Sequence, residues 1–168
     1  FAKRKAARRL GVPERDLPSN AEVEGALAEW RALFRDEDDD ERLARMRAAA
    51  LVVLDLLQPF RPAVTGAVID GQVDAFSEVE VEVFADSAKD VEIFLLGQDV
   101  PYSPREVRST GHDAPEAILE LDCDDVPVRV YVHGMLAERS ARRHHNGSPR
   151  KRMRREAFLA LLERLSGA

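Results

Sequence analysis

The sequence predicts an α+β fold: a small mixed β-sheet of about five strands with helices packed on it, preceded by a helical N-terminal segment. Three observations predict it. Apolar residues recur at helical spacing through the first third, the period falls to two beyond Pro59 and Pro62, and the final stretch returns to helical spacing. At 168 residues the chain is long enough to bury a real core. The division expected is a helical segment over residues 1–59 and a mixed domain with a C-terminal helix over 60–168.

Ala2 to Leu10 reads as a short basic helix stopped by Gly11 and Pro13. Ser19 followed by Glu22 is a capping box that opens a second helix. Along it Val23, Leu27, Trp30 and Phe34 form an apolar stripe, with Trp30 expected as a core anchor. The acid run Asp36 to Glu41 suits the positive end of a third helix, whose seam is Leu43, Met46, Ala50, Val53 and Leu57. That run lacks the glycine and spaced oxygens of an EF-hand loop. Strands are predicted at about 63–69 and 77–84, and Ser87 with Asp90 caps a helix ending near Gly97. A strand at 104–110 follows, then a hairpin of Ala117–Cys123 and Val126–His133 across Asp124-Asp125. The last helix opens near Pro149 and buries Phe158, Leu159, Leu162 and Leu165.

The net charge of −6 hides an asymmetry. Residues 1–9 carry five bases and no acid, and residues 139–155 carry eight bases and no acid, while 10–138 holds 29 acids against 11 bases. Such basic ends are either a phosphate-binding device or the counter-charge of the acidic middle. The second is favoured because no aromatic residues interleave the arginines. No apolar run approaches the ~20 residues of a membrane span. The single cysteine, Cys123, excludes an internal disulfide and a cysteine-built zinc site, and makes a reducing cytoplasm the default location. His144 and His145, with His133 and His112, read as a loop pair rather than a zinc site. Neither Ser77 nor Ser109 lies in a nucleophile-elbow pattern. Oligomeric state is not legible.

The densest chemistry lies in Ala63 to Phe84. An apolar run carries Gly66, a loop follows, and then Glu78, Glu80 and Glu82 alternate with Val79, Val81 and Val83. Period two places the glutamates on one face at ~6.5 Å spacing, where like charges call for a cation. The plain alternative is an amphipathic strand with one wet face.

Strand, glycine turn, loop and paired-acid strand together resemble the nucleotidyltransferase superfamily typified by DNA polymerase beta. Its signature appears as Thr65-Gly66-Ala67, ten residues, then Ser77-Glu78-Val79-Glu80-Val81. The family's later "GIPVDLVV" hairpin is matched by Asp125 to Val132, and the match covers roughly 60–135. The whole chain is also similar to a group of bacterial predicted nucleotidyltransferases, through Phe60 to Gly66 and Phe84-Ala85-Asp86. The resemblance implies metal-dependent transfer of a nucleoside monophosphate from an NTP. Glu78 and Glu80 would hold Mg²⁺, and Thr65, Gly66, Ala67 and Ser77 would border the nucleotide. Such transfer uses two cations ~4 Å apart, held by two carboxylates of one strand and a third from its neighbour.

Three departures redirect that expectation. Both signature acids are glutamates, longer and less rigid than aspartate. Ala67 brings no hydroxyl, and Thr65 beside it points to the opposite face. Arg129 stands where the third metal-binding acid belongs. The expectation is therefore a metal site converted to a salt-bridge cluster, with Arg129 paired bidentately to Glu78 and Glu80. The protein would be a non-catalytic module binding a nucleotide, nucleic acid or protein, in part through the basic segment 139–155. An active Mg²⁺-dependent nucleotidyltransferase is the alternative.

Overall fold

A computed structural model describes residues 2–33, 37–107, 114–139 and 151–167. The chain divides into two compact units, Phe1–Arg35 and Asp36–Ala168.

The first unit holds two helices, α1 (Ala2–Leu10) and α2 (Asn20–Leu33). The capping box forms as the sequence predicts. The Ser19 N–H donates to Glu22 Oε2 at 2.7 Å and the Glu22 N–H donates to Ser19 Oγ at 3.1 Å. The anchor role expected for Trp30 is not met: its side chain is 58% exposed, and Leu27 is exposed with it. Two short helices do not supply enough surface to enclose an indole. Phe34 lies outside the described residues.

In the second unit, α3 (Glu37–Leu56) carries the predicted seam. Leu43, Met46, Ala50, Val53 and the following Leu57 are all buried. A 3₁₀ turn at Gln58–Phe60 leads to β1 (Ala63–Thr65), α4 (Ala67–Asp70), β2 (Val79–Ala85), α5 (Ala88–Gly97) and β3 (Ser103–Arg105). Then come β4 (Ala117–Cys123), β5 (Val126–Gly134), β6 (Arg152–Met153) and α6 (Arg155–Ser166). Among the described residues the six strands form one sheet in the order β3-β4-β5-β2-β1-β6. Only the β2–β5 pair is parallel. No described helix is long and apolar enough to cross a membrane.

The alternation read from the sequence is what builds the core. Val79, Val81 and Val83 of β2, Val128, Val130 and Val132 of β5, and Leu119 and Leu121 of β4 share one buried cluster with the α3 seam. Val91 and Leu95 of α5 and Phe158 of α6 complete it. Each such side chain contributes about 1.5–3 kcal/mol of burial.

Several boundaries differ from the sequence reading. The strand expected at 63–69 ends at Thr65, because Gly66 turns the chain and its carbonyl accepts from the Ile69 and Asp70 N–H groups at 2.9 and 3.1 Å. The helical turn that results buries both Val68 and Ile69. The α5 helix runs from the predicted Ser87 cap to Gly97 as expected, and the left-handed residue that follows is Asp99 (φ 53). The hairpin turns as predicted, with Asp124 and Asp125 both at positive φ, as a two-residue turn of the favoured type demands. The strand expected at 104–110 is the short β3, and residues 108–113 are outside the described set. The last helix starts at Arg155 because Arg152 and Met153 first pair with β1. Pro149 is outside the described residues, and Leu165 is exposed.

Candidate functional site

Strand register gathers polar residues of all six described strands into one row. Glu80 lies opposite Thr65 on one side and Arg129 on the other; Arg129 lies opposite Glu120, Glu120 opposite Ser103, and Thr65 opposite Arg152. One step along, Glu82 lies between Ala63 and Tyr131. The glutamate face of β2 is thus not a wet face: Glu78 and Glu80 are half-buried and Glu82 is fully buried.

Each glutamate meets a donor. Arg129 Nη2 lies 2.6 Å from Glu78 Oε1 and 3.7 Å from Glu120 Oε1, and Glu120 also pairs with Arg105. Tyr131 donates its hydroxyl to Glu80 Oε1 at 3.2 Å, and Thr65 donates to Glu80 Oε2 at 3.3 Å. Arg152 Nη1 lies 3.4 Å from Glu82 Oε2, with its guanidinium over the Phe84 ring at 5.6 Å. Burial works against the Arg129 charge, but Tyr131, Glu78 and Glu120 outweigh it and hold its pKa above the ordinary arginine value. Burial, then the Glu80 charge, pushes the Tyr131 pKa up, so its hydroxyl stays a donor at neutral pH.

The glycine corner closes on the same carboxylate. Gly66 has φ 71 and ψ −141, and a Cβ placed there would sit 2.6 Å from Glu80 Oε2. Only a residue without a side chain lets the strand end and the carboxylate approach so closely. Beside Glu78 a cavity of about 420 Å³ opens, walled by Pro101, Tyr102, Glu120 and Asp122.

The predicted site residues sort as follows. Glu78, Glu80, Arg129, Thr65 and Gly66 meet on one face. Ala67 begins α4 beside them. The Ser77 hydroxyl is occupied elsewhere: it accepts from the Asp74 N–H at 2.9 Å and donates to Asp74 Oδ1 at 3.0 Å, pinning the loop before β2. Thr65 does not point away as a strand over 63–69 implied, because register sets it opposite Glu80. The Arg129 contact with Glu78 runs through one nitrogen, with Glu120 rather than Glu80 as its second partner at 3.7 Å. Glu120, Arg105 and the Arg152–Glu82 pair are not among the site residues read from the sequence. Period two puts Tyr131 on the same strand face as Arg129. Glu120, Arg105 and Arg152 become visible only once strand order is known.

The basic segment is substantially neutralised where it is described. Lys151 lies 3.7 Å from Asp70, Arg154 pairs with Glu138, and Arg155 donates to Asp55, with one contact at 3.1 Å. Among the described residues no group of three or more His, Cys, Asp or Glu is placed to hold a metal ion.

No protein-family model matches the chain, and no curated protein matches it. Among solved structures it is similar to a cytoplasmic RNA terminal U-transferase, at 14% identity and a TM-score of 0.37. The likeness covers 70% of this chain and 37% of that one, and is too loose to bear on activity.

Proposed function

We propose that the chain is a nucleotidyltransferase-fold module whose metal centre has become a salt-bridge cluster, and that it binds a nucleotide, nucleic acid or protein without turnover. The observation that carries this reading is the Arg129 guanidinium 2.6 Å from Glu78, on the strand position where a third acid would complete a metal site. A guanidinium supplies the positive charge that two neighbouring carboxylates require, and a divalent ion entering there would first have to break that pair. Glu80 does not offer its oxygens freely either, since Tyr131 and Thr65 each donate to one of them. The donor set therefore does not suit Mg²⁺.

The cavity beside Glu78 gives a ligand its place, and the 139–155 segment gives a polyanion a route of approach. Lys151, Arg152, Arg154 and Arg155 already face carboxylates, so nucleic acid would bind by exchanging internal ion pairs. Its affinity would then fall steeply with salt. The alternative is transfer of a nucleoside monophosphate from NTP with Glu78 and Glu80 holding Mg²⁺. It draws on the Gly66 corner, which keeps the close backbone approach that a triphosphate needs.

One experiment separates the two. The full chain is titrated with Mg²⁺ and Mn²⁺ while the Glu78 and Glu80 carboxyl signals are followed by NMR, then incubated with labelled NTPs. Tight, saturable two-ion binding, or label transfer abolished by Glu80→Gln, would overturn the binding-module reading. Nucleotide or nucleic-acid affinity that is indifferent to divalent metal, without label transfer, supports it.

A further inference from the structure

We propose that Arg61 and Arg154 form an oxyanion site that Glu138 occupies from within the chain, and that a polyphosphate displaces it. Arg61 and Glu138 lie outside the acid row described above, but Arg154 belongs to the basic segment proposed to meet a polyanion, so the inference rests on and deepens that reading. It fails alone if tripolyphosphate leaves Glu138 in place while nucleic acid still binds.

Glu138 is gripped on both oxygens. Arg61 Nη1 donates to Oε2 at 2.8 Å, and Arg154 Nη2 donates to Oε1. Arg152 Nη2 adds a bond to the Glu138 carbonyl at 3.0 Å. Two guanidinium groups arranged around one carboxylate are the donor geometry that also receives a phosphate. The first cause of the lowered Glu138 pKa is its bond from Arg61, so it is ionised at neutral pH and acts as an anion there.

Three features distinguish this cluster from a permanent staple. First, Arg61 and Arg154 are 54% and 59% exposed while Glu138 is only 18% exposed, so the arginines face solvent around a covered acid. Second, Glu138 rides on a 3₁₀ turn, Met135–Arg139, that has no buried residue, and Leu136 within it is exposed. Polar contacts rather than apolar packing dock that turn, so its release costs little hydrophobic burial. Third, the backbones that carry the arginines are fixed without Glu138. Arg61 sits at φ 49 and ψ 56, tied by its N–H to the Gln58 carbonyl at 3.2 Å, while Arg154 occupies the N-cap position of α6. Arg61 and Arg154 bring two positive charges to the single carboxylate of Glu138, and its release exposes both.

An internal anion competes with an external one, so apparent affinity is reduced by the fraction of time the clasp is open. The test is calorimetric titration of the full chain with inorganic tripolyphosphate. Glu138→Gln should bind at least about tenfold tighter than wild type. The gain should vanish when Arg61→Ala and Arg154→Ala are added. In wild type, saturating tripolyphosphate should speed hydrogen exchange at the amides of 135–139, a readout that does not depend on any variant folding. The proposal is overturned if folded Glu138→Gln binds no tighter, if the gain survives loss of both arginines, or if those amides do not respond. A parallel titration with a nucleoside triphosphate identifies the source of the phosphate: equal affinity assigns the site to free polyphosphate, and tighter binding to a nucleotide.

Discussion

Replacing Arg129 by methionine removes the cation of the acid row while keeping an unbranched stem. Glu78 loses its 2.6 Å partner, and Glu120 keeps only Arg105. A charge-assisted hydrogen bond is worth about 1.5–3 kcal/mol. With 21% and 29% of the two side chains exposed, solvent takes back part of that. The 3.7 Å contact with Glu120 is looser and half in solvent, and adds only a few tenths of a kcal/mol. The expected loss is therefore about 2 kcal/mol, roughly 4–8 °C in Tm. Urea unfolding of wild type, Arg129→Met, Glu78→Gln and the double variant isolates the pair. The coupling energy should be about 1 kcal/mol and should largely persist in about 0.5 M salt, because partly buried pairs are weakly screened.

The same substitution has a functional consequence. Without the guanidinium, Glu78 is left without its cation beside Glu80 and Glu120, and on the proposed reading Arg129→Met should bind Mn²⁺ more tightly than wild type. A variant within about 0.5 kcal/mol of wild type, with no coupling to Glu78 and no gain in Mn²⁺ affinity, would refute the view that Arg129 supplies the charge of this site.

Three further outcomes are expected. Gly66→Ala should cost about 2–4 kcal/mol in urea unfolding, from positive-φ strain plus displacement of Glu80 from Thr65 and Tyr131. In a Glu80→Ala background only the backbone part should remain. For pH dependence, the Glu138 carboxyl titrates below its ordinary value of 4.5 in the folded chain, so it contributes stability above the unfolded pKa that is lost as pH falls through the folded one. The stability gap between wild type and Glu138→Gln should thus be flat near neutrality and close in acid below that value. Asp74→Ala should cost about 1–2 kcal/mol, since Asp74 Oδ1 accepts from the Phe76 N–H at 2.9 Å and from Ser77 Oγ. Its loss should raise hydrogen exchange in the loop before β2.

What was legible in the sequence was local. Ser19 with Glu22, the Ser87 cap, the α3 seam and the Asp124-Asp125 turn each depend on residues a few positions apart, and each appears where the spacing placed it. The strand beginning at Ala63 was misjudged because Val64, Val68 and Ile69 are apolar in either conformation. What decides between them is the turn at Gly66, whose carbonyl accepts from the Ile69 and Asp70 N–H groups. Trp30 was misjudged for the opposite reason: helical spacing reports that a stripe exists, not that anything large enough lies against it.

The candidate site shows the same division within one strand. Glu78, just before β2, and Glu80 and Glu82 on one face of it require cations, and that requirement is readable from period two and Coulomb's law alone. Which residues meet it is not readable, because the suppliers are remote: Arg129 is 51 positions from Glu78, and Arg152 is 70 from Glu82. Family resemblance pointed to Arg129, since its strand has a counterpart in the motif. Arg152 had no such guide. It lies in a run of bases that looks like solvated charge, yet a strand of two residues carries it across β1 to a carboxylate buried to 1%. A buried glutamate without that partner would carry a large desolvation cost, so the short β6 pairing and the burial of Glu82 depend on each other. The acidic middle and the basic end of the chain, an imbalance in composition, are thereby joined at a defined place in the fold.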